Sequence, residues 1–180
     1  MRFDKENCVA VIVDVQERLF ATMQHKEQLE NNLFVLIKGL LVLDVPLIKT
    51  QQYTSGLGPT IESVDGAMGA LPAVEKLSFS CCGEPSFMEA LEKVGREQVV
   101  LAGIESHVCV LQTALDLVQN GYIPMVVQDC VSSRRQSDMA AAFLRMRAEG
   151  VRITSYESIL LELCREAGGD TFKQILRLIK

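Results

Sequence analysis

Asp14, Lys76 and Cys109 are a carboxylate, an ammonium and a thiol, each placed at or just beyond the end of a short apolar segment. Side chains of these types can run acyl transfer together. The thiol attacks a carbonyl-like carbon, the ammonium stabilises its thiolate, and the carboxylate accepts its proton. Each residue alone has a plain structural explanation. An Asp after a strand is commonly a turn or helix-cap residue, a lone Lys commonly decorates a surface, and a lone Cys is commonly a small core side chain. Chance less often brings all three to one edge of a sheet.

The sequence around Cys109 strengthens the case. Gly103-Ile-Glu-Ser-His107 joins a buried strand over 98–102 to a helix over 108–119, which Gly121 closes in the left-handed position that glycine favours. Ser106 is the expected N-cap, so Cys109 falls in the first helical turn. Amide N–H groups there lack intrahelical partners, and the helix dipole favours negative charge. Both effects lower a thiol pKa, and the expectation is a reactive, readily ionised sulfur. The same N–H groups can hold an oxyanion formed on an attacked carbonyl.

The elements that must position these residues alternate along the chain. Cys8 to Val13 is a continuous apolar run ending at Asp14, as suits a strand covered on both faces. Residues 28–44 show helical spacing through Leu29, Leu33, Leu36, Ile37, Leu40 and Leu41. Short strands are expected over 45–49 and over 73–76, the second ending at Lys76. Between them, 51–72 holds four glycines and two prolines and reads as one long loop. A helix over 85–94, a strand over 123–128 ended by Asp129, a helix over 136–149, a strand over 151–154 and helices near 157–165 and 171–179 complete the chain. This pattern predicts an α/β fold: one domain over 1–180, built as a doubly wound (Rossmann-like) parallel sheet with helices on both faces and right-handed crossovers. Such sheets bind ligands beyond the carboxyl ends of their strands.

Composition narrows the partners. Hydrophobic residues make up 48% and charged residues 23%, as in globular proteins. The net charge of −5 and the absence of any run of five like charges argue against a nucleic-acid partner. No apolar stretch reaches membrane-spanning length. The six cysteines, at 8, 81, 82, 109, 130 and 164, follow no secretory leader pattern. They are expected to be reduced thiols in a cytoplasmic protein.

Four stretches carry a family resemblance: Val11-Ile-Val-Asp14-Val-Gln16, Val74-Glu-Lys76-Leu-Ser-Phe-Ser80, Val100-Leu-Ala-Gly-Ile-Glu-Ser-His-Val-Cys109-Val, and Val126-Val-Gln-Asp129-Cys-Val-Ser-Ser-Arg134. In this order, over nearly the whole chain, they resemble the isochorismatase-like cysteine hydrolases. Gln52-Tyr-x-x-Gly-Leu-Gly58 is similar to the isochorismatase domain-containing subgroup. The resemblance implies Asp14, Lys76 and Cys109 as catalytic triad, a cis peptide between Ile104 and Glu105, and an oxyanion hole from the backbone amides of Glu105 and Cys109. It also implies a homo-oligomer and an amidohydrolase-type reaction on a small-molecule substrate. In that reaction a C–N bond of an amide or carbamoyl group is cleaved through a covalent Cys109 adduct.

The chain departs from parts of that pattern. Metal-binding relatives carry Asp-x-His after the second strand, where this chain has Gln51-Gln52-Tyr53, and its only histidines are His25 and His107. No metal and no other cofactor is therefore expected, and nicotinamide is a poor substrate candidate. The presence of Cys109 argues against isochorismate, whose hydrolysis in the family does without that nucleophile.

Gln16, Phe20, Tyr53, Phe79 and Glu105 are candidate pocket residues. The three aromatics are either an apolar wall or core. Glu105 either lines the pocket and selects a cationic or donating substrate, or faces solvent while its backbone alone matters. His107 either shuttles protons or packs beside the nucleophile helix. Cys81 and Cys82 are read as packing or pocket lining, because adjacent cysteines bridge only through a strained ring. Pocket shape rests on 16–25 and 51–72. Two competing classes remain, a catalytically idle binding or scaffold protein and a nuclease.

Overall fold

The apolar run at the start of the chain forms a central strand whose alternate residues feed two cores. Cys8, Ala10 and Ile12 pack on one side, and Val9, Val11 and Val13 on the other. With both faces covered by helices, neither set can be polar, which explains the unbroken run. The structure is a computed structural model and describes residues 1–69 and 71–180.

In chain order the elements are β1 (Cys8–Val13), α1 (Glu17–Phe20), α2 (Lys26–Val42), β2 (Leu47–Gln52), α3 (Thr54–Leu57), α4 (Glu62–Met68) and β3 (Ala73–Lys76). They continue with α5 (Pro85–Val94), β4 (Gln98–Ile104), α6 (Leu111–Gln119), β5 (Ile123–Ser132) and α7 (Gln136–Ala148). The last are β6 (Arg152–Thr154), α8 (Tyr156–Cys164) and α9 (Gly169–Ile179). The strands pair in parallel in the order β3-β2-β1-β4-β5-β6. Side chains of α2, α4, α8 and α9 fill one core, and those of α5, α6 and α7 the other. The doubly wound fold expected from the alternating pattern is therefore the one found. Its strand order reverses direction at β1, so a crevice opens between the carboxyl ends of β1 and β4.

Three boundaries differ from the sequence reading, each for a physical reason. The stretch 51–72 is not one loop. β2 runs on to Gln52, two helical segments follow, and Thr60 bridges back to Gln16. β5 runs past Asp129 to Ser132, across a break in register in which β4 advances from Leu101 to Gly103 while β5 advances from Val126 to Val131. Asp129 therefore does not end the strand. Its Oδ1 accepts from the Tyr156 amide at 2.9 Å and its carbonyl from Asn32 Nδ2 at 2.8 Å, which ties α2 and α8 to the sheet. Finally, Ser106 is not the cap of the helical segment that carries Cys109. Glu105 holds that place, residues 106–110 form a wider π-type turn ahead of α6, and the Ser106 hydroxyl bonds Ser133 Oγ instead.

Gly103 shows how closely β1 and β4 approach. Its φ is +120°, and a Cβ there would lie 2.1 Å from the Val13 carbonyl oxygen. Only glycine fits one residue before Asp14 begins the site.

Candidate active site

Asp14 follows β1 in a left-handed conformation, φ 49°, and is fully buried. Oδ1 accepts from Thr50 Oγ1 at 2.7 Å, and Oδ2 accepts from Lys76 Nζ at 2.6 Å. Lys76 is the last residue of β3, and its ammonium also donates to the carbonyls of Ser78 at 3.0 Å and Phe79 at 3.1 Å. Three protons thus meet three acceptors, the condition under which a buried ammonium is tolerable. Burial pulls the Lys76 pKa down, but the Asp14 carboxylate and the nearby Cys81 and Cys109 sulfurs outweigh it, and the net shift is upward. The ammonium stays charged.

Cys109 lies in the π-type turn beyond β4, 3% exposed, with Sγ 3.5 Å from Gln52 Oε1. Burial raises its pKa most. The Asp14 carboxylate raises it further, and Lys76 offsets only part of this. The resting sulfur therefore keeps its proton. This overturns the expectation of a lowered thiol pKa, because the helix-start argument took no account of a carboxylate beside a buried sulfur. The peptide between Ile104 and Glu105 is cis.

A cleft of about 380 Å³ opens over the sulfur. Leu19, Leu57, Phe79 and Val108 form its apolar wall with Tyr53, while Gln52, Glu105 and Arg134 contribute polar groups. The structure thus brings Asp14, Lys76 and Cys109 to one point and sets Tyr53, Phe79 and Glu105 around it. Gln16 and Phe20 stand elsewhere. Gln16 is fully buried and grips the end of β2, accepting from the Gln52 amide at 2.7 Å and donating to the carbonyls of Gln52 at 3.0 Å and Gly58 at 2.7 Å. Phe20 belongs to the core under α2 and borders a different hollow, beside Glu17 and Glu62.

Glu105 lines the cleft and does not face solvent. Its side chain is only 8% exposed and is engaged by Arg134, whose Nε donates to Oε2 at 3.2 Å. A carboxylate already paired with a guanidinium is not available to select a cation. His107 Nδ1 lies 2.9 Å from Ser133 Oγ. Other hollows, one of about 390 Å³ at the amino ends of β4 and β5 and one of about 690 Å³ between α2 and α9, hold none of the triad. Among the described residues no three His, Cys, Asp or Glu side chains converge as a ligand set.

Thr50, Gln52 and Arg134 were not singled out from the sequence. The strand-end rule that marked Asp14 and Lys76 marks Thr50 and Gln52 equally, once β2 is seen to continue beyond Lys49. Its last residues, Thr-Gln-Gln, fall outside the strand expected over 45–49 because they are polar.

Comparison with known proteins gives the family and supports the fold. The isochorismatase domain family model matches residues 8–158. Mouse isochorismatase domain-containing protein 2A is 38% identical over 178 residues, spanning 97% of this chain and 84% of its own. The structure of a MAR1 ribonuclease from Caenorhabditis elegans superposes with a TM-score of 0.93 at 33% identity, over 99% of this chain and 92% of that one. The YcaC gene product of Escherichia coli, described as an octameric hydrolase of unknown specificity, shares the fold at a TM-score of 0.94 and 22% identity, over 99% and 89% of the two chains. The domain match over residues 8–158, with relatives at 38% and 36% identity along nearly the whole chain, makes the chain a member of the isochorismatase family of hydrolases, within the isochorismatase domain-containing group.

Proposed function

We propose that the protein is a cysteine hydrolase that cleaves the C–N bond of a small amide or carbamoyl compound through a covalent adduct on Cys109. The observation that carries this reading is the pairing of Asp14 with Lys76 beneath a protonated sulfur. When a carbonyl carbon approaches, the Cys109 proton passes to Asp14 as the S–C bond forms, and Lys76 stabilises the charge left on sulfur. The negative oxygen of the tetrahedral adduct is held by the backbone amides of Glu105 and Cys109. Asp14 then delivers its proton to the departing nitrogen, the C–N bond breaks, and a thioester remains. Asp14, again a base, takes a proton from water as the water attacks. The acid leaves and the thiol regains its proton.

The substrate is small, since the cleft holds about 380 Å³ and is largely apolar. No step in this sequence calls on a metal or an organic cofactor, and the side chains at 51–53 are two amides and a phenol. Six cysteines outside any disulfide suit a reducing compartment such as the cytoplasm. Among the described residues no helix is long and apolar enough to cross a membrane. A relative from Phytophthora sojae, 35% identical over 183 residues, is named a secreted effector. Self-association belongs to the same reading, with Phe34 and Leu41 on α2 and Leu144 on α7 exposing apolar surface.

The test is ammonia or amine release from a panel of small primary amides, carbamoyl compounds and ureides, with whole-protein mass spectrometry to trap the adduct. Wild type should turn over at least one compound and carry its acyl mass, and Cys109→Ala should lose at least 1,000-fold, on the scale of nucleophile removal elsewhere. Turnover that survives in Cys109→Ala sinks the proposal. The raised thiol pKa is the observation that favours a second reading, a binding protein whose sulfur never ionises. Tight binding of a panel compound without any adduct would support it. The nuclease reading, which the name of the Caenorhabditis relative raises, sits poorly with a net charge of −5.

A further inference from the structure

Gln52 is held at its backbone and at its side-chain amide. Its backbone is clamped at both polar atoms by the buried Gln16 side chain, and its own Nε2 donates to the Leu77 carbonyl at 3.2 Å. Those contacts fix which end of the side-chain amide faces the nucleophile. Turning the amide over would set Oε1 against the Leu77 oxygen, acceptor against acceptor. An oxygen with no proton of its own therefore borders Cys109, 3.5 Å from Sγ, where it accepts the resting thiol's hydrogen bond.

That hydrogen bond ends when the reaction begins. Once the thiol proton has passed to Asp14 and sulfur has bonded to carbon, Gln52 Oε1 has lost its donor, and a substrate filling the largely apolar cleft takes the place of water there. An acceptor left without a partner is costly. From this, and resting on the hydrolase reading above, we infer that Gln52 is a specificity-determining residue that selects substrates whose leaving atom carries an N–H. A primary amide, a carbamoyl group or a monosubstituted amide presents a donor to Oε1 as the adduct forms. An ester presents a lone pair there instead, and a disubstituted amide presents a carbon. The asymmetry resembles that of other polar sites, where a missing donor is penalised more than a surplus methyl group.

The experiment compares p-nitroacetanilide with p-nitrophenyl acetate, which differ by N–H for O and both release a chromophore. Each rate is taken in wild type and in Gln52→Met, a substitution of similar length without the acceptor, after subtracting the Cys109→Ala background. The readout is the anilide-to-ester ratio of kcat/KM, so any change in thiol ionisation cancels. The inference expects this ratio to fall about tenfold in Gln52→Met, the worth of one hydrogen bond to a neutral donor. It also expects Gln52→Glu, which keeps an acceptor oxygen, to hold the ratio closer to wild type. An equal loss on both probes overturns the inference while leaving Cys109 as nucleophile, as does an ester rate with no anilide rate in wild type. No rate above background on either probe overturns the hydrolase reading itself.

Discussion

At Cys109 the sulfur is protonated before substrate arrives, because burial and the Asp14 carboxylate outweigh the pull of Lys76. The two charged neighbours therefore act on the thiol in opposite senses, and their removal should show it. Asp14→Asn should speed alkylation of Cys109 at neutral pH by about tenfold, since the neighbouring negative charge goes, even as hydrolysis is lost with the base. Lys76→Met should slow alkylation and also destabilise the fold by ~3 kcal/mol, since it strands a buried carboxylate. Mass-resolved alkylation rates and denaturant midpoints check both variants. Slower alkylation in Asp14→Asn would contradict the electrostatics described. That Asp14, Lys76 and Cys109 lie at one edge of the sheet was readable from the sequence, because Asp14 follows β1, Lys76 ends β3 and Cys109 lies in the turn after β4. The charge state of the sulfur was not, since it depends on two side chains brought from 95 and 33 positions away along the chain.

Among the elements, β1 and β4 do most to set the site, and they touch through Gly103. Gly103→Ala forces a Cβ onto the Val13 carbonyl and keeps φ at +120°, so both a clash and backbone strain result. The expected loss is ~2–3 kcal/mol of stability, with weakened activity through displacement of Asp14, read from denaturant unfolding and from turnover of the same preparation. A variant as stable and active as wild type would show that the two strands can part. The strands most legible in the sequence were those buried on both faces, β1 and β4, where all of β1 and every residue of β4 after Gln98 lacks a polar side chain. β2 was half legible: Leu47, Ile48 and Lys49 fall in the strand expected over 45–49, then Thr50, Gln51 and Gln52 conceal its end. Lys49 is nevertheless buried, its ammonium paired with Asp65 of α4. The helices α3 and α4 went unread for a related reason. Gly56, Gly58, Gly66 and Gly69 break the apolar periodicity of segments only four and seven residues long.

Over the whole molecule the thiols give stability a pH limit. Burial pushes Cys8 up to about 12 and Cys81 up to about 11, against an ordinary value near 9. The unfolded chain releases these protons near pH 9, while the folded chain keeps them. Stability is thus fully present below about pH 9 and is lost as pH rises toward 11 and 12, by roughly 1 kcal/mol per pH unit for each buried thiol. Denaturant midpoints between about pH 8 and about pH 10.5 should fall accordingly, and Cys8→Ala should flatten the slope. A midpoint constant across that range would mean the buried sulfurs ionise in place. The doubly wound architecture, by contrast, was legible at this scale from alternation alone, because covering both faces of a parallel sheet leaves few other ways to wind the chain.

The proton that Cys109 retains has a consequence beyond turnover. Peroxide attacks thiolates and largely spares thiols. On the proposed mechanism, a sulfur that ionises only while substrate is in place is exposed to oxidation for a small part of each cycle. The carboxylate that delays ionisation thereby protects the sulfur between substrates, so the idle protein should outlast oxidative stress that silences enzymes with permanently ionised cysteines.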